Sequence, residues 1–278
     1  MNYLIKLNLK YIKILKLKAL IFKMIKTLNL DISIKTKFNE NGFVKIENLF
    51  TNNEVNLIKK DIAYISKILK KKKYKHLHLT PDGRINSIHD INKLKIKSYL
   101  NQLSKKKKLQ NIVNYILNTN KTIVRNLEFF LKPKKTGQSS PFHQDNYFWN
   151  IKKAEALNVW IACSNSDKNN GGICYLERSH KKGLLKHELS YKKGTSQQII
   201  SKALKKIKYK KKYPSLKPGD CIIHHPEVIH GSAKNLSNRD RTGVVISFKK
   251  KTAKYDLKKL KNYKKNVEKN IQFFKSKL

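Results

Sequence analysis

Apolar and polar positions change their rhythm three times along this chain. Through residues 1–34, lysines alternate with aliphatic and aromatic residues: Leu4, Ile5, Leu7, Ile12, Ile14, Leu15, Leu20, Ile21 and Phe22. That spacing predicts a basic amphipathic helix, which either lies on an anionic membrane surface or packs on the body of a domain. Gly42 stops a helix and is followed by a short strand, Phe43 to Ile46. Thr51 and Glu54 then stand at capping-box spacing and open a helix from Val55 to Leu69. The lysine runs 70–73 and 105–108 read as solvated helix ends or loops, and Leu109 to Leu117 as another short helix.

From residue 122 the rhythm is that of strands: Thr122 to Leu131, Leu157 to Cys163, Ile173 to Leu176, Cys221 to His224 and Arg241 to Phe248. Turn signals stand between them, at Asn169 to Gly172 and at Lys217 to Asp220. The last 26 residues return to a lysine-rich helical pattern. Short strands after a helical lead-in predict a mainly β protein with flanking helices (α+β), its core a jelly-roll or cupin-like barrel. The expected division is a basic extension over 1–35, one domain over 36–252 and a C-terminal helix over 253–278.

Composition changes this picture in one respect. The 278 residues carry a formal charge of +45, and all but five of the 63 basic residues are lysine. Lysine, asparagine and isoleucine share AT-rich codons, so genome composition accounts for much of the bias. Dedicated nucleic-acid readers lean on the planar fork of arginine, so no specific nucleic-acid partner is expected. The charge keeps open a second reading, a non-catalytic basic β-barrel that binds a polyanion, either nucleic acid or an anionic membrane. Cys163, Cys174 and Cys221 are too few and too scattered for a disulfide framework. A cytoplasmic protein is expected, with peripheral membrane contact through residues 1–34 as a further expectation. No apolar run is long enough to span a bilayer.

The chemistry concentrates in two stretches. In Pro141-Phe-His-Gln-Asp145, residues two apart in an extended chain point to one side, so His143 and Asp145 enter a pocket together while Gln144 points away. His230 follows 87 residues after His143, at the end of another predicted strand. Two imidazoles and one carboxylate on one face of a metal leave positions open for a co-substrate and O2, the pattern of Fe(II) oxygenases. Arg241, opening the strand after His230, suits the far carboxylate of 2-oxoglutarate. Arg239 has the same parity but lies in a polar turn. His224 and His225 are read as structural, and His180 as holding a loop. Tyr147 and Trp149 are candidates for the substrate pocket.

These motifs, together with Asn39 to Val44, Lys132-Pro133, Trp160-Ile-Ala, Asn170 to Gly172, Ser179 to Lys181, Gly219-Asp220 and His230 to Ser232, resemble the phytanoyl-CoA dioxygenase family over residues 36 to 250. The resemblance implies a double-stranded β-helix with Fe(II) held by His143, Asp145 and His230. It implies that Arg241 and Ser232 hold 2-oxoglutarate, with Trp160 lining that pocket. The 11-residue spacing from His230 to Arg241 fits the family and favours Arg241 over Arg239. The implied reaction is hydroxylation of an unactivated C–H bond in a small-molecule or acyl substrate. One departure is Glu177-Arg178, where the family often has Pro-Gly. Related halogenases lack the carboxylate that Asp145 supplies, which favours hydroxylation. Nucleic-acid demethylases of this chemistry tend to carry a second arginine six residues after the first, where this chain has Ser247. A zinc hydrolase built on His224, His225 and His230 would need a general base for which no HExxH pattern exists.

Overall fold

The computed structural model describes residues 32–94, 96–192, 195–206 and 208–275. The proposed amphipathic segment therefore lies almost wholly outside the described residues. Helix α1, residues 32–41, ends at Gly42, whose φ of +84° is the left-handed stop that glycine adopts freely. It leads into β1 (Phe43–Ile46). Helix α2 (Asn52–Lys71) begins at the Thr51–Glu54 capping box. Glu54 also receives Lys106 and Lys108, each at 2.7 Å. Part of the second lysine run is thus tied down on a carboxylate rather than free in solvent.

A hairpin of β2 (Leu77–Leu79) and β3 (Ile85–Ile88) follows, then α3 (Tyr99–Leu103) and α4 (Lys107–Ile116). The remaining strands are β4 (Thr122–Lys132), β5 (Ser140–His143), β6 (Ala156–Ala162), β7 (Ile173–Leu176), β8 (His187–Lys192), β9 (Thr195–Ile199), β10 (Lys211–Lys212), β11 (Cys221–His224), β12 (His230–Ser232) and β13 (Arg241–Lys250). Between them lie α5 (Asp145–Trp149) and α6 (Ser201–Lys205), and α7 (Leu257–Lys275) closes the described chain.

The strands form a seven-stranded sheet, β1-β11-β6-β13-β4-β3-β2, facing a four-stranded sheet, β10-β7-β12-β5, with β8-β9 as a separate hairpin. The expected jelly-roll core is therefore present. Two hairpins, β2-β3 and β8-β9, carry no clear apolar alternation in sequence and become strands only through their pairing.

Alternation along the large sheet divides its residues between two cores. Val159, Ile161, Cys163, Cys221, Ile223, Val244, Ile246 and Phe248 face the helices, where Ile58, Ile65, Leu100, Leu103 and Leu109 meet them. Trp160, Ala162, Ile222 and Val245 face the smaller sheet, where Tyr175 meets them. Strand β6 is buried on both faces, so it reads as an apolar run, broken only by Asn158, rather than an alternating one. The thiols of Cys163 and Cys221 lie on the helix side, and all three cysteines are free and buried. Among the described residues no helix is long and apolar enough to cross a membrane.

Candidate metal centre and anion pocket

Register brings the two key stretches together. His230, first residue of β12, pairs directly with His143, last residue of β5. Their ring centroids are 4.3 Å apart. The sequence pattern placed Asp145 on one extended strand end with His143; instead the strand stops at His143 and Asp145 begins α5. It still reaches the same place. One ligand atom from each of His143, Asp145 and His230 lies within 4.8 Å of the other two. His143 Nε2 stands 3.6 Å from Asp145 Oδ1, and His230 Nε2 stands 3.8 Å from Asp145 Oδ2.

Both imidazoles are aimed by their own backbone. His143 Nδ1–H donates to the Pro141 carbonyl at 2.8 Å, and His230 Nδ1–H donates to the Val228 carbonyl at 3.0 Å. A carbonyl only accepts, so in each ring the proton sits on Nδ1 and the Nε2 lone pair points inward. Burial, with His143 and His224 nearby, pushes the His230 pKa down to about 3, against the pull of Asp145. The ring is therefore neutral at physiological pH. Burial alone would raise the Asp145 carboxyl, but His230, His143 and His224 outweigh it and hold the group well below the usual carboxylate range. Two inward-aimed Nε2 atoms and one anionic oxygen on one face suit a divalent iron with positions to spare.

Two buried basic side chains, Arg241 and Lys132, face each other on the neighbouring strands β13 and β4. Arg241 is 2% exposed and lies over the Trp160 ring at 5.3 Å. It donates to the Gly171 carbonyl at 2.6 Å, and its buried Nε has no partner. Burial lowers its pKa to about 10, so it remains charged at neutral pH. Gly243 leaves the room for this arrangement, since a Cβ there would collide with the Trp160 ring. Lys132 pairs with Arg241 across β4 and β13 and is 1% exposed. Its Nζ donates to Ser232 Oγ and to the Ala233 carbonyl, both at 2.6 Å. Burial first, then Arg241, hold its pKa well below the ordinary value. Among the described residues no carboxylate pairs with either cation. A buried donor without a partner calls for an anion. Ser232 lies two residues along β12 from His230, roughly 7 Å, a span that suits a short dicarboxylate. Arg239 points elsewhere, to an exposed ion pair with Asp167 at 2.7 Å.

The two aromatic candidates separate. Trp149 is buried with Ile151, Ala156 and Ala253, under the Arg125 guanidinium at 4.6 Å. Tyr147 stacks on His187 at 4.0 Å and lines a cavity of 390 Å³ with Leu184, Lys186 and Tyr263 of α7. The ring that meets His143, edge to face at 5.6 Å, is that of Phe148. Gln144 points away from the triad, donating to the carbonyls of Gly183 and Glu227. His225 and His180 pack against each other with tilted rings, centroids 5.0 Å apart, outside the triad. His224, read from the sequence as structural, reaches the triad's edge: its Nε2 lies 3.1 Å from Asp145 Oδ2.

Sequence reasoning missed Lys132 as a pocket residue, although it had noted the Lys132-Pro133 pair. It also missed Asn158, whose Nδ2 donates to Asp145 Oδ2 at 2.7 Å. A third omission is Glu128, two residues before Phe130 on the inward face of β4. Its Oε1 accepts from Asn126 and faces His89 Nδ1, both at 2.8 Å. Its charge helps raise the His143 pKa, after the larger opposing effect of burial and the pull of Asp145.

A family model described as phytanoyl-CoA dioxygenase matches residues 38–243. The chain belongs to the phytanoyl-CoA dioxygenase family. Within it, the peroxisomal phytanoyl-CoA dioxygenase of Rattus norvegicus is 24% identical over 233 residues, covering 78% of this chain and 68% of that relative. The phytanoyl-CoA dioxygenase domain-containing protein 1 of Danio rerio is 25% identical over 136 residues, covering 48% of this chain. That match spans about half of the relative's length, 47%. Among solved structures, EctD from S. alaskensis, determined with 2-oxoglutarate and 5-hydroxyectoine, superposes with a TM-score of 0.66. It is 17% identical, over 80% of this chain and 77% of that one. The non-heme alpha ketoglutarate dependent epimerase SnoN superposes with a TM-score of 0.63 at 16% identity, over 82% and 83%. These likenesses extend the family's jelly-roll fold to this chain.

Proposed function

We propose that this family member is an Fe(II)- and 2-oxoglutarate-dependent dioxygenase that hydroxylates a C–H bond of a small-molecule substrate. The observation that carries the reading is a two-imidazole, one-carboxylate triad in the same sheet sandwich as a buried Arg241 that has no carboxylate partner among the described residues. His143, Asp145 and His230 hold the iron. Arg241, Lys132 and Ser232 hold the far carboxylate of 2-oxoglutarate, with Trp160 fixing the guanidinium plane from below. Bound Fe(II) and 2-oxoglutarate would supply the electrons that activate O2, the oxidant of the reaction.

The chain's own contribution is orientation and exclusion of water. The Pro141 and Val228 carbonyls keep both Nε2 atoms aimed at one point. Phe148 walls the centre beside His143. Glu128 with His89, and Arg125 over Trp149, make the adjoining wall polar. That supports a substrate that brings a polar group close to the iron rather than a bare hydrocarbon chain.

Anaerobic titration of the purified protein with Fe(II) and 2-oxoglutarate tests the reading. The expected result is the weak visible charge-transfer band of an iron-bound keto acid, lost in His143→Ala and weakened in Arg241→Ala. A folded, metal-loaded wild type with no band would overturn it.

A further inference from the structure

We propose that His224 and Asn158 keep Asp145 a one-oxygen ligand, and so preserve the open positions of the metal. The inference rests on the reading of His143, Asp145 and His230 as the iron ligands.

His224 closes β11, where Ile222 and His224 face inward while Cys221 and Ile223 face the helices. Across the sheet it pairs with Asn158 of β6, which pairs with Ser247 of β13, which pairs with Asn126 of β4. A polar row thus crosses four strands between apolar neighbours. A buried polar row needs partners, and here the bonds run toward the ligand carboxylate. Ser247 Oγ–H donates to Asn158 Oδ1. Asn158 Nδ2–H donates to Asp145 Oδ2 at 2.7 Å. His224 Nε2 lies 3.1 Å from the same oxygen, and Tyr175 OH lies 3.1 Å from His224 Nδ1.

The tautomer of His224 follows from its surroundings. An unprotonated Nε2 would set its lone pair against those of an ionised carboxylate. With the proton on Nε2, that atom donates to Asp145, and Nδ1 accepts from the Tyr175 hydroxyl. The Tyr175 hydroxyl and the His224 Nε2–H then each have an acceptor, and the 3.2 Å approach of Asn158 Nδ2 to His224 Nε2 is that of two donors converging on one oxygen.

Oδ2 consequently takes two N–H donors, which occupy its lone pairs and leave Oδ1 to bind metal. His224 itself is no fourth ligand, because its Nε2 is already committed to Asp145. A carboxylate released from these donors could chelate through both oxygens. It would then occupy a position that the keto acid or O2 requires. His224 and Asn158 are therefore positioning residues, acting through Asp145.

The test uses full-length protein loaded with Co(II), whose visible spectrum reports its coordination without turnover. His224→Phe removes the donor and keeps a ring, His224→Gln restores an N–H near Nε2, and Asn158→Leu removes the other donor. At saturating Co(II), the Phe and Leu variants should bind 2-oxoglutarate at least ~10-fold more weakly, the scale of losses seen when partners of metal ligands are removed. Their Co(II) spectra should differ from wild type before 2-oxoglutarate is added. The Gln variant should follow wild type in both. If His224→Phe does not fold, Asn158→Leu carries the comparison. Wild-type affinity and an unchanged spectrum in a folded Phe or Leu variant would overturn the proposal and leave the oxygenase reading intact. A wild type that binds no Co(II) would overturn both.

Discussion

Lys132 and Arg241 face each other across adjacent strands as two buried cations with no carboxylate between them. Such a pair is unfavourable by itself, since burial and mutual repulsion both oppose the charged lysine. It becomes favourable when an anion fills the gap, and the pocket therefore holds a site ready for a ligand at some cost to the empty protein.

That opposition predicts a split effect for Lys132→Met. The ligand-free protein should be as stable as wild type or more so in thermal melts. Its affinity for 2-oxoglutarate should fall by about 1.5–3 kcal/mol, the value of a hydrogen bond to a charged group, measured by calorimetry on metal-loaded protein. The sign of the pH dependence follows from the depressed lysine pKa. Below its ordinary value of 10.5, the unfolded chain holds more protons than the folded one, so wild-type stability rises with pH across that window. In Lys132→Met this contribution should be missing. A variant that loses stability and keeps its ligand affinity would contradict the account.

Metal should stabilise the fold through the triad. Saturating Fe(II) or Co(II) at about 100 times its dissociation constant is expected to add ~2.7 kcal/mol, seen as a rise in Tm that EDTA reverses. His230→Ala should abolish the rise. An equal rise in that variant would mean the metal binds elsewhere.

Gly243→Ala tests the fit beneath Arg241. The added methyl meets the Trp160 ring, and overpacking of this kind costs roughly 1–3 kcal/mol. Because Trp160 supports Arg241, 2-oxoglutarate affinity should drop with stability. Denaturant melts and calorimetry on one preparation would separate the effects. Unchanged affinity would detach Trp160 from the pocket.

His225 predicts acid sensitivity away from the metal. Burial first, then His180 and His224, push its pKa down to about 3 from an ordinary 6.5. Between those values the unfolded chain binds a proton that the folded one refuses, so stability falls as pH drops below 6.5. His225→Phe should flatten the slope of Tm between pH 7 and pH 5, measured in metal-free protein. An identical slope in both proteins would assign the sensitivity to other groups.

The strands were readable where one rule governed them. Phe43 to Ile46, Ile173 to Leu176 and Cys221 to His224 begin and end where the sequence predicts, because turn residues bracket compact apolar runs. The His143–Asp145 and His230–Ser232 motifs were readable because the chemistry lies in neighbouring residues. What stayed hidden depends on pairing between distant strands. Lys132 looks like one lysine among many until register sets it against Arg241. Asn158 and His224 look like flaws in apolar strands until they meet over Asp145. The Glu128–His89 pair joins β4 to the end of β3, 39 residues apart, a contact that no periodicity encodes.

The two-sided burial of the large sheet has one more consequence. Cys163 and Cys221 sit on its helix-facing side, while the triad opens on the other. Burial pushes the Cys163 thiol up to about 12 and raises that of Cys221 further, so neither forms the thiolate that attacks peroxide. A stray oxidant formed at the metal in an idle cycle would have to cross a wall of valine, isoleucine and tryptophan to reach them. The large sheet, lying behind the small sheet that carries His143 and His230, is also a firebreak for these two thiols.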